Sequence, residues 1–270
     1  MNEINLALQE PQNVPGCPIY DINLAWKSTC KILLGDEIGD MGEYVGYLSQ
    51  YNEPVRKANS CFSGTEIIAS PEIPPYARVF GHSELENYQK RINTSSFSIN
   101  KIKDLDSLLE EITERVYYTG NIVLGESGNV VLSNRCSNCW HVYNSQEVYD
   151  SKYVAYTTKA RYGEYSFGSN CIGETQFAIR CFETYKDTRC MESVRIYTSS
   201  DCYYTGNIDG CTNCMFSFNL RNKHYRIGNL ELQKDKYLVL KAKLIMEMRE
   251  TLGRKKTIPG VIELLGGKNE

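Results

Sequence analysis

The sequence predicts an α+β protein in which an N-terminal α/β region precedes a single-chain β-solenoid of about five coils, capped by a C-terminal amphipathic helix. Between about residues 120 and 225 no stretch keeps a helical period, and short alternating segments such as YVAYT, FAIRCF and VRIYTS recur instead. Cys171, Cys190 and Cys211 lie 19 and 21 residues apart. A nearly constant interval indicates stacked coils of about twenty residues, and it favours a solenoid over a β-sandwich with regularly spaced strands.

The elements before and after this repeat follow from prolines, helical spacing and charge. Pro11, Pro15 and Pro18 indicate an extended arm, and KDLDSLLEEITERVY has the apolar spacing of an amphipathic helix. QKDKYLVLKAKLIMEMRETL is a second amphipathic helix, placed to cover the open end of the solenoid, with Gly253 as its stop. We therefore expect five parts: an extended N-terminal arm (1–35), a mixed α/β region (36–118), the solenoid (119–230), the capping helix (231–253) and a basic tail (254–270).

The composition is that of a folded protein rich in tyrosine. Apolar residues make up 41% and charged residues 23% of the 270 residues, a balance that excludes wholesale disorder. The 20 tyrosines suit surfaces that bury an aromatic ring and keep its hydroxyl at water or at a partner. The first residues lack a basic segment followed by an apolar one, and no apolar run approaches the roughly 20 residues of a membrane span. We expect a cytoplasmic protein with no membrane contact, whose 11 cysteines are free thiols.

Two CxxC pairs raise the question of a metal site. Cys136 and Cys139 together with Cys211 and Cys214 provide four thiolates, the ligand set of a structural zinc site. The 71 residues between Cys139 and Cys211 would place the two pairs on the order of 15–19 Å apart along a stack of coils of about twenty residues. Because Zn–S bonds are about 2.3 Å long, one ion cannot bind both pairs in a solenoid. We therefore favour buried core thiols and no cofactor, with zinc as the alternative.

A catalytic site is not evident in the sequence. Cys139 and His141 are a candidate nucleophile and base, but no recognisable nucleophile signature surrounds them. No Walker loop, dinucleotide fingerprint, HExxH or GxSxG motif occurs either. We lean towards a protein that is not an enzyme and keep an enzyme of unfamiliar type, using this Cys/His pair, as an alternative.

Positive charge is concentrated at the C-terminus. Residues 221–270 carry a net charge of +6, and the first 220 residues carry a net charge of −9. Arg254, Lys255 and Lys256 in GRKKTIPG are the first candidates for electrostatic contact with nucleic acid or with an acidic partner. A solvated loop explains the same residues and is the favoured interpretation.

The closing phrase CTNCMFSFNLRNKHYRIGN, followed by DKY and a helix, is the most distinctive stretch of the sequence. It resembles the end of an uncharacterised family of Cys/Tyr-rich repeat proteins from microbial genomes, whose members finish with a phrase close to NLRNKxYxIxN. The match covers about residues 133–240. It rests mainly on Asn219, Arg221, Asn222, Lys223, Tyr225, Asn229 and Tyr237. The resemblance implies a repeat fold, no established activity and no catalytic residues.

These features predict a non-enzymatic structural or scaffolding subunit of a larger macromolecular assembly. Other protein subunits would bind the Tyr-rich face of the solenoid and its terminal segments. The alternative from another class is a zinc-binding module that contacts nucleic acid through the basic C-terminal tail.

Overall fold

The computed structural model describes residues 16–94, 100, 102–113 and 115–266 of the chain. In these ranges the α-helices are α1 (Pro18–Leu34), α2 (Val45–Leu48), α3 (Leu85–Thr94), α4 (Leu105–Thr113), α5 (Lys234–Lys255) and α6 (Val261–Leu265). Short 3-10 turns are found at Met41–Tyr44, Ser49–Tyr51 and His82–Glu84. The strands before the solenoid are β1 (Arg56–Asn59), β2 (Glu66–Ala69), β3 (Val79–Gly81) and β4 (Tyr118–Gly120). The remaining strands are β5 (Val123–Leu124), β6 (Gly128–Val131), β7 (Asn134–Ser137), β8 (Trp140–Tyr143), β9 (Gln146–Tyr149), β10 (Lys152–Ala155), β11 (Thr158–Arg161), β12 (Glu164–Phe167), β13 (Asn170–Gly173), β14 (Gln176–Tyr185), β15 (Thr188–Tyr197), β16 (Ser200–Asp209), β17 (Thr212–Met215), β18 (His224–Ile227) and β19 (Leu230–Glu231).

Strands β5–β18 wind into a parallel β-solenoid whose coils contain twelve residues, except for one step of thirteen from β5 to β7. Lys152 pairs with Glu164, so each residue lies beside the one twelve positions further along the chain. The same step holds from β6, where Gly128 pairs with Trp140, to β17 and β18. Parallel pairing at one constant step stacks the coils directly over one another, which places equivalent positions in columns.

A left-handed residue recurs at every third position of the solenoid. From Asn129 to Gly228 each of these positions has φ between +43° and +65°. Four such corners divide each coil into four sides of three residues. The left-handed conformation costs residues other than glycine roughly 1–2 kcal/mol each, so the hydrogen-bonded stack must offset a strain that is repeated in every coil.

The residue after each corner points into the coil, and nearly all of these residues are buried. Two opposite columns are mainly apolar, and they run through Val142 and Val154 on one side and through Val148 and Ala160 on the other. A coil of twelve residues encloses little space, so the inward positions hold small or β-branched side chains.

The other two inward columns hold mostly hydroxyl side chains that bind the backbone of the next coil. Ser133 Oγ accepts a hydrogen bond from the Ser145 N–H at 3.1 Å, and Ser145 Oγ accepts one from the Thr157 N–H at 3.1 Å. The hydroxyl also donates to the carbonyl oxygen two residues before it, as Ser145 does to Tyr143 at 2.8 Å. These bonds satisfy backbone groups that the narrow interior closes off from water.

The intervals of 19 and 21 residues that predicted five coils were measured between cysteines that occupy different positions in the coil. Cys171 occupies an outward-facing corner, whereas Cys190 and Cys211 point inward on different sides of the coil. The thiols that lie above one another are Cys190, Cys202 and Cys214, as Cα partners in successive coils. The predicted β-solenoid, with a helical region before it and a helix after it, is confirmed. The prediction of about five coils of about twenty residues is wrong, and the stack has about nine coils of twelve residues.

Helix α1 lies along one side of the stack, which we call the helix-covered side. In successive coils this side is formed by Tyr143, Ala155, Phe167, Ile179, Met191, Tyr203 and Met215. The ring of Trp26 in α1 lies 5.4 Å from the Phe167 ring, and Trp26 Nε1 donates a hydrogen bond to the Gly39 carbonyl oxygen at 3.2 Å. The helix therefore closes a core that the solenoid alone would leave open to water.

The presence of α1 corrects the expected extended arm over residues 1–35. Pro18 stands at the first helical position, where its missing N–H costs nothing, and Gly35 ends the helix in the left-handed conformation at φ +83°. The proline that was interpreted as a mark of extended chain is thus a helix start. Residues 1–15 of the expected arm lie outside the described residues.

The C-terminal helices pack on the last coils. The ring of Tyr237 in α5 lies 5.5 Å from the Tyr225 ring, and Lys241 Nζ lies 5.5 Å from the centre of the Tyr203 ring. Val261 of α6 donates its backbone N–H to Glu192 at 3.0 Å. The predicted C-terminal helix is therefore present, and it continues two residues beyond its expected end at residue 253.

The α/β region before the solenoid lies against the first coil. Strands β1 and β2 form an antiparallel hairpin, and β3 pairs with β4 in parallel. Asn121 donates its N–H to the Ile68 carbonyl oxygen at 2.8 Å and accepts the Ile68 N–H on Oδ1 at 2.7 Å. Asn134 of the first coils donates to Ser70 at 3.1 Å. These bonds cover a strand edge that would otherwise be open.

The last coil, residues 218–229, closes the other end with polar side chains. Asn229 accepts the Phe218 N–H at 2.8 Å and donates to the Phe218 carbonyl oxygen at 3.0 Å, as the backbone of a further coil would. Arg226 occupies an inward position and pairs with Glu231 of β19 at 2.8 Å. Apart from Tyr237 in α5, the residues that carry the family resemblance belong to this coil, so the closing phrase of the sequence is the end of the stack.

Candidate functional site

Opposite the helix-covered side, the solenoid presents a row of outward-facing tyrosines that we call the tyrosine face. Positions six residues apart in a twelve-residue coil point in opposite directions, so this face is half a coil away from the side under α1. Its strand positions are Ser137, Tyr149, Arg161, Gly173, Tyr185, Tyr197, Asp209 and Arg221. The corners that follow them are Asn138, Asp150, Tyr162, Glu174, Lys186, Thr198, Gly210 and Asn222.

Three tyrosines of this face remain accessible in the folded chain. The exposed fraction is 55% for Tyr162, 43% for Tyr185 and 41% for Tyr197. Tyr185 and Tyr197 are Cα partners in adjacent coils, so their backbone positions are about 4.8 Å apart. The seven coil steps from Ser137 to Arg221 extend the face over on the order of 34 Å. A row of this length with several accessible rings is large enough to contact a macromolecule.

Neighbouring coils hold the ring of Tyr185 in place. Gly173 lies one coil earlier, and a Cβ at that position would be 2.9 Å from the Tyr185 ring, so only glycine lets the ring lie over this backbone. The Tyr185 hydroxyl donates to Glu174 Oε1 at 2.6 Å. Lys186 Nζ lies 5.1 Å from the centre of the same ring and 3.8 Å from the Glu174 carboxylate. The ring is therefore positioned before any partner arrives.

The charges of the tyrosine face alternate in sign and cancel. Its three acidic and three basic side chains are Asp150, Glu174, Asp209, Arg161, Lys186 and Arg221. A surface that binds nucleic acid carries an excess of positive charge. Balanced charges around aromatic rings are instead typical of a protein–protein interface.

The structure separates the two CxxC pairs that could form a zinc site. Cys139 and Cys211 point into the same inward column, six coils apart, which is on the order of 29 Å along the stack. Cys136 and Cys214 lie beside them in sequence and are also buried. The four thiols do not come together, and within the described ranges no group of three or more His, Cys, Asp or Glu side chains is arranged to hold a metal ion. The expectation that the chain has no cofactor stays a prediction.

Cys139 and His141, the candidate nucleophile and base, face different ways. Cys139 Sγ points into the coil, 3.1 Å from the Ser137 carbonyl oxygen. His141 occupies an outer corner, where its ring stacks 4.8 Å from the Tyr153 ring and Nδ1 lies 3.6 Å from the Asp21 carboxylate. Burial raises the pKa of Cys139, whereas an activated thiol requires a lowered pKa. The structure does not bring the two side chains together.

The basic residues after α5 are only partly available to a partner. Lys256 Nζ lies 2.7 Å from Glu43 Oε2 and 4.8 Å from the centre of the Tyr44 ring, so this lysine fastens the C-terminal segment to the N-terminal one. Arg254 and Lys255 are exposed in the last turn of α5. Of the three predicted partner-binding residues, two are exposed and one is engaged within the chain.

Sequence reasoning missed a stack of buried thiols in the last coils. Cys190, Cys202 and Cys214 occupy the same inward position in successive coils, and all three side chains are fully buried. Cys211 points inward from the next side of the coil and is also buried. Cys202 in the coil before and Arg226 in the coil after lower the pKa of Cys214 from its usual value. The spacing of twelve residues between Cys190 and Cys202, and again between Cys202 and Cys214, is the feature of the sequence that could have predicted this stack.

A buried Arg180–Glu192 pair on the helix-covered side was also missed. Arg180 Nε lies 3.1 Å from Glu192 Oε1, and both side chains are 0% exposed. The guanidinium lies 4.3 and 4.4 Å from the ring centres of Tyr47 and Tyr51, and the Tyr47 hydroxyl donates to Glu192 at 2.8 Å. Burial raises the pKa of Glu192 to about 7 although Arg180 opposes the shift. Because Glu192 also accepts the Val261 N–H, the pair joins both terminal segments to the solenoid.

Comparisons with known proteins do not add a function. No protein-family model matches the chain, and no curated protein and no solved structure matches it. The resemblance to Cys/Tyr-rich repeat proteins stays an interpretation of the sequence. Among the helices described for this chain, none has the length and apolar character to cross a membrane. The function must therefore be inferred from the surfaces of the chain itself.

Proposed function

We propose that the chain is a structural or scaffolding subunit that binds a partner protein through the tyrosine face. The observation that carries this proposal is the unequal covering of two equivalent sides. The chain covers one side of the solenoid with its own helices, whereas the opposite side keeps three tyrosines between 41% and 55% exposed. Accessible aromatic rings grouped on one surface are typical of a contact site, because tyrosine is enriched among the residues that dominate binding energy.

Rigidity supports the same function. The face is built on parallel strands hydrogen-bonded from coil to coil, and the Tyr185 ring is held by Gly173, Glu174 and Lys186 before binding. A partner would therefore order few side chains on this surface, which lowers the entropic cost of association. The balanced charges favour a protein over a nucleic acid as the partner.

The alternative functions gain less support from the arrangement of side chains. A zinc-binding module needs converging thiols, and the two CxxC pairs stand six coils apart. Of the three tail residues predicted to contact nucleic acid, Arg254 and Lys255 are exposed, whereas Lys256 pairs with Glu43. An enzyme using Cys139 would need that thiol to leave the interior of the coil.

Reconstitution of a complex tests the proposal. Proteins that co-purify with the chain from its native source are identified by mass spectrometry, and the complex is rebuilt from purified components. Combined replacement of Tyr162, Tyr185 and Tyr197 by alanine should weaken the rebuilt complex by at least about tenfold in Kd. Tyr76→Ala is the matched control, because Tyr76 is 89% exposed and lies outside the solenoid, and it should leave Kd unchanged. Equal binding by the triple variant and the wild type would contradict the proposal.

A further inference from the structure

The buried thiols of the last coils lie above one another on adjacent strands. Cys202 and Cys214 are Cα partners in strands β16 and β17, so their Cα atoms are one strand spacing apart, about 4.8 Å. A disulfide requires a Cα–Cα distance of about 4.4–6.8 Å and side chains that point the same way. Both side chains point into the coil, and both are 0% exposed. We infer that Cys202 and Cys214 form an oxidisable dithiol, which a low-molecular-weight disulfide converts to an intramolecular disulfide bond.

Cys214 lies directly beneath the last coil of the solenoid, residues 218–229. Phe218 and Arg221 join the coil before them through isolated bridges, to Gly206 and Asp209. The preceding strands β14, β15 and β16 pair over ten residues each. The sides of this coil at Phe218 and Arg221 can therefore open while β18, which carries Arg226, stays paired with β17, and this opening admits a reagent to Cys214 without unwinding the coils before it.

A cation stands directly over the same thiol. Arg226 is the Cα partner of Cys214 in the last coil, and its side chain is 15% exposed. Arg226 Nε is buried and has no hydrogen-bond partner. A guanidinium in this position favours the thiolate of Cys214, and the thiolate is the form that attacks a disulfide.

Oxidation proceeds by two exchange steps. The Cys214 thiolate attacks one sulfur of a disulfide RSSR, so that a Cys214–SR bond forms, the S–S bond of the reagent breaks, and the released RS⁻ takes up a proton. Cys202 then loses its proton and attacks Cys214 Sγ, which releases the second RS⁻, and this thiolate is protonated in turn. Two protein thiols are oxidised to one disulfide, and one RSSR is reduced to two RSH.

The first coils contain a CxxC pair, Cys136 and Cys139, with no cysteine at the equivalent positions of the next coil. Cys136 has Val148 as its Cα partner in the next coil. The residue twelve positions after Cys139 is Ser151, so this thiol also has no sulfur above it. The Cys136/Cys139 pair is therefore a built-in control: it shares the burial and the spacing in sequence of Cys211 and Cys214 and lacks the stacked partner.

Peptide mapping of the oxidised full-length chain tests the inference. The native protein is incubated with oxidised glutathione, trapped with an alkylating reagent and digested without reduction. One linked pair, Cys202–Cys214, is expected, with Cys136 and Cys139 recovered as alkylated thiols. A link between Cys211 and Cys214 would overturn the assignment. So would the absence of any disulfide in the native protein, provided that the urea-unfolded chain oxidises under the same conditions.

Variants separate the chemistry from folding. Cys202→Ser and Cys214→Ser should each abolish the disulfide, and Cys136→Ser should leave it unchanged. The far-ultraviolet circular dichroism spectrum checks that each variant folds.

A second measurement does not need a cysteine variant. Arg226→Gln should slow the alkylation of Cys214 by iodoacetamide at neutral pH by about tenfold, and Arg226→Lys should largely restore the rate, because the lysine keeps the charge. Equal rates for the glutamine variant and the wild type would refute the role of the cation.

Discussion

Two opposite sides of one solenoid use tyrosine in different ways. On the helix-covered side Tyr203 is 2% exposed, and its hydroxyl donates to the Leu33 carbonyl oxygen of α1 at 3.0 Å. On the tyrosine face Tyr185 and Tyr197 keep more than two fifths of their surface exposed. The coil geometry is the same on both sides, so the difference comes from the terminal segments, which bring apolar cover and hydrogen-bond acceptors to one side only. The repeat forms both surfaces, and the packing of the flanking helices determines which one is buried and which one stays exposed.

The largest expected change in stability comes from replacing one of the two tryptophans of the chain, and replacing the other should cost much less. Trp26→Ala removes a fully buried ring from the helix-covered side and should lower the free energy of unfolding by about 3–5 kcal/mol. Trp140→Ala, on an outer side where the ring is 46% exposed, should cost about 1 kcal/mol. Urea denaturation measures both changes. Equal losses would mean that α1 contributes little to the stability of the solenoid.

The pH dependence of stability tests the buried acids. Glu192 has a folded pKa of about 7 against a usual value of 4.5, so the folded chain holds a proton that the unfolded chain has lost between these pH values. The free energy of unfolding should therefore fall as pH rises from about 4.5 to 7, by up to about 3 kcal/mol from this residue. Asp187, an inward residue whose pKa burial raises to about 7, adds a fall of the same sign. Glu192→Gln should flatten the curve in part, and an unchanged slope would contradict this assignment.

A smaller loss of stability is expected from removing a hydroxyl of the inward columns, which lie between the helix-covered side and the tyrosine face. Ser145→Ala leaves the Thr157 N–H without its acceptor inside the coil, and it should lower the free energy of unfolding by about 1–3 kcal/mol. Ser145→Thr keeps the hydroxyl and is the control, because threonine occupies the same column at residue 157. Chemical denaturation of the two variants gives the comparison. If alanine and threonine were tolerated equally, the hydroxyl column would not stabilise the stack.

The smallest expected changes in stability come from removing a single tyrosine hydroxyl on the helix-covered side and on the tyrosine face. Tyr203→Phe leaves the Leu33 carbonyl oxygen unpaired in the core and should cost about 1 kcal/mol. Tyr197→Phe removes a hydroxyl from an exposed ring and should change stability by less than about 0.5 kcal/mol. Thermal unfolding of the two variants at equal concentration measures the difference. A reversed order would mean that the two faces are covered differently in solution.

The sequence predicted the solenoid and the two flanking helical regions, but not the length of a coil. Every third residue from Val130 to Leu220 is small, β-branched, Asp or Leu, with no aromatic and no Lys, Arg or Glu side chain. Serine, threonine, cysteine and valine occur among these positions, so the side chains are similar in size but differ in hydrophobicity. A search for apolar periodicity therefore does not detect the twelve-residue repeat. The steps of twelve between Cys190, Cys202 and Cys214 carried the same information.

Which tyrosines would be exposed could not be predicted from the repeat itself. Burial of Tyr203 depends on Leu33, and burial of Phe167 depends on Trp26, pairs that are more than a hundred residues apart in the chain. Local patterns do not report such contacts, because they arise when α1 docks on the finished stack. The Arg180–Glu192 pair was missed for the same reason, since its neighbours come from both ends of the chain.

A fixed step of twelve also limits how this chain can change in length. Insertion of one residue in the middle of the stack would shift every later side chain to a new direction, turning hydroxyls and apolar groups towards water and charged groups inward. The one step of thirteen in the solenoid, from Val123 to Cys136, occurs at the first coil, where almost nothing precedes it in the stack. Gain or loss of a whole coil keeps every remaining residue in phase, so duplication and deletion in units of twelve are the changes that such a gene can tolerate.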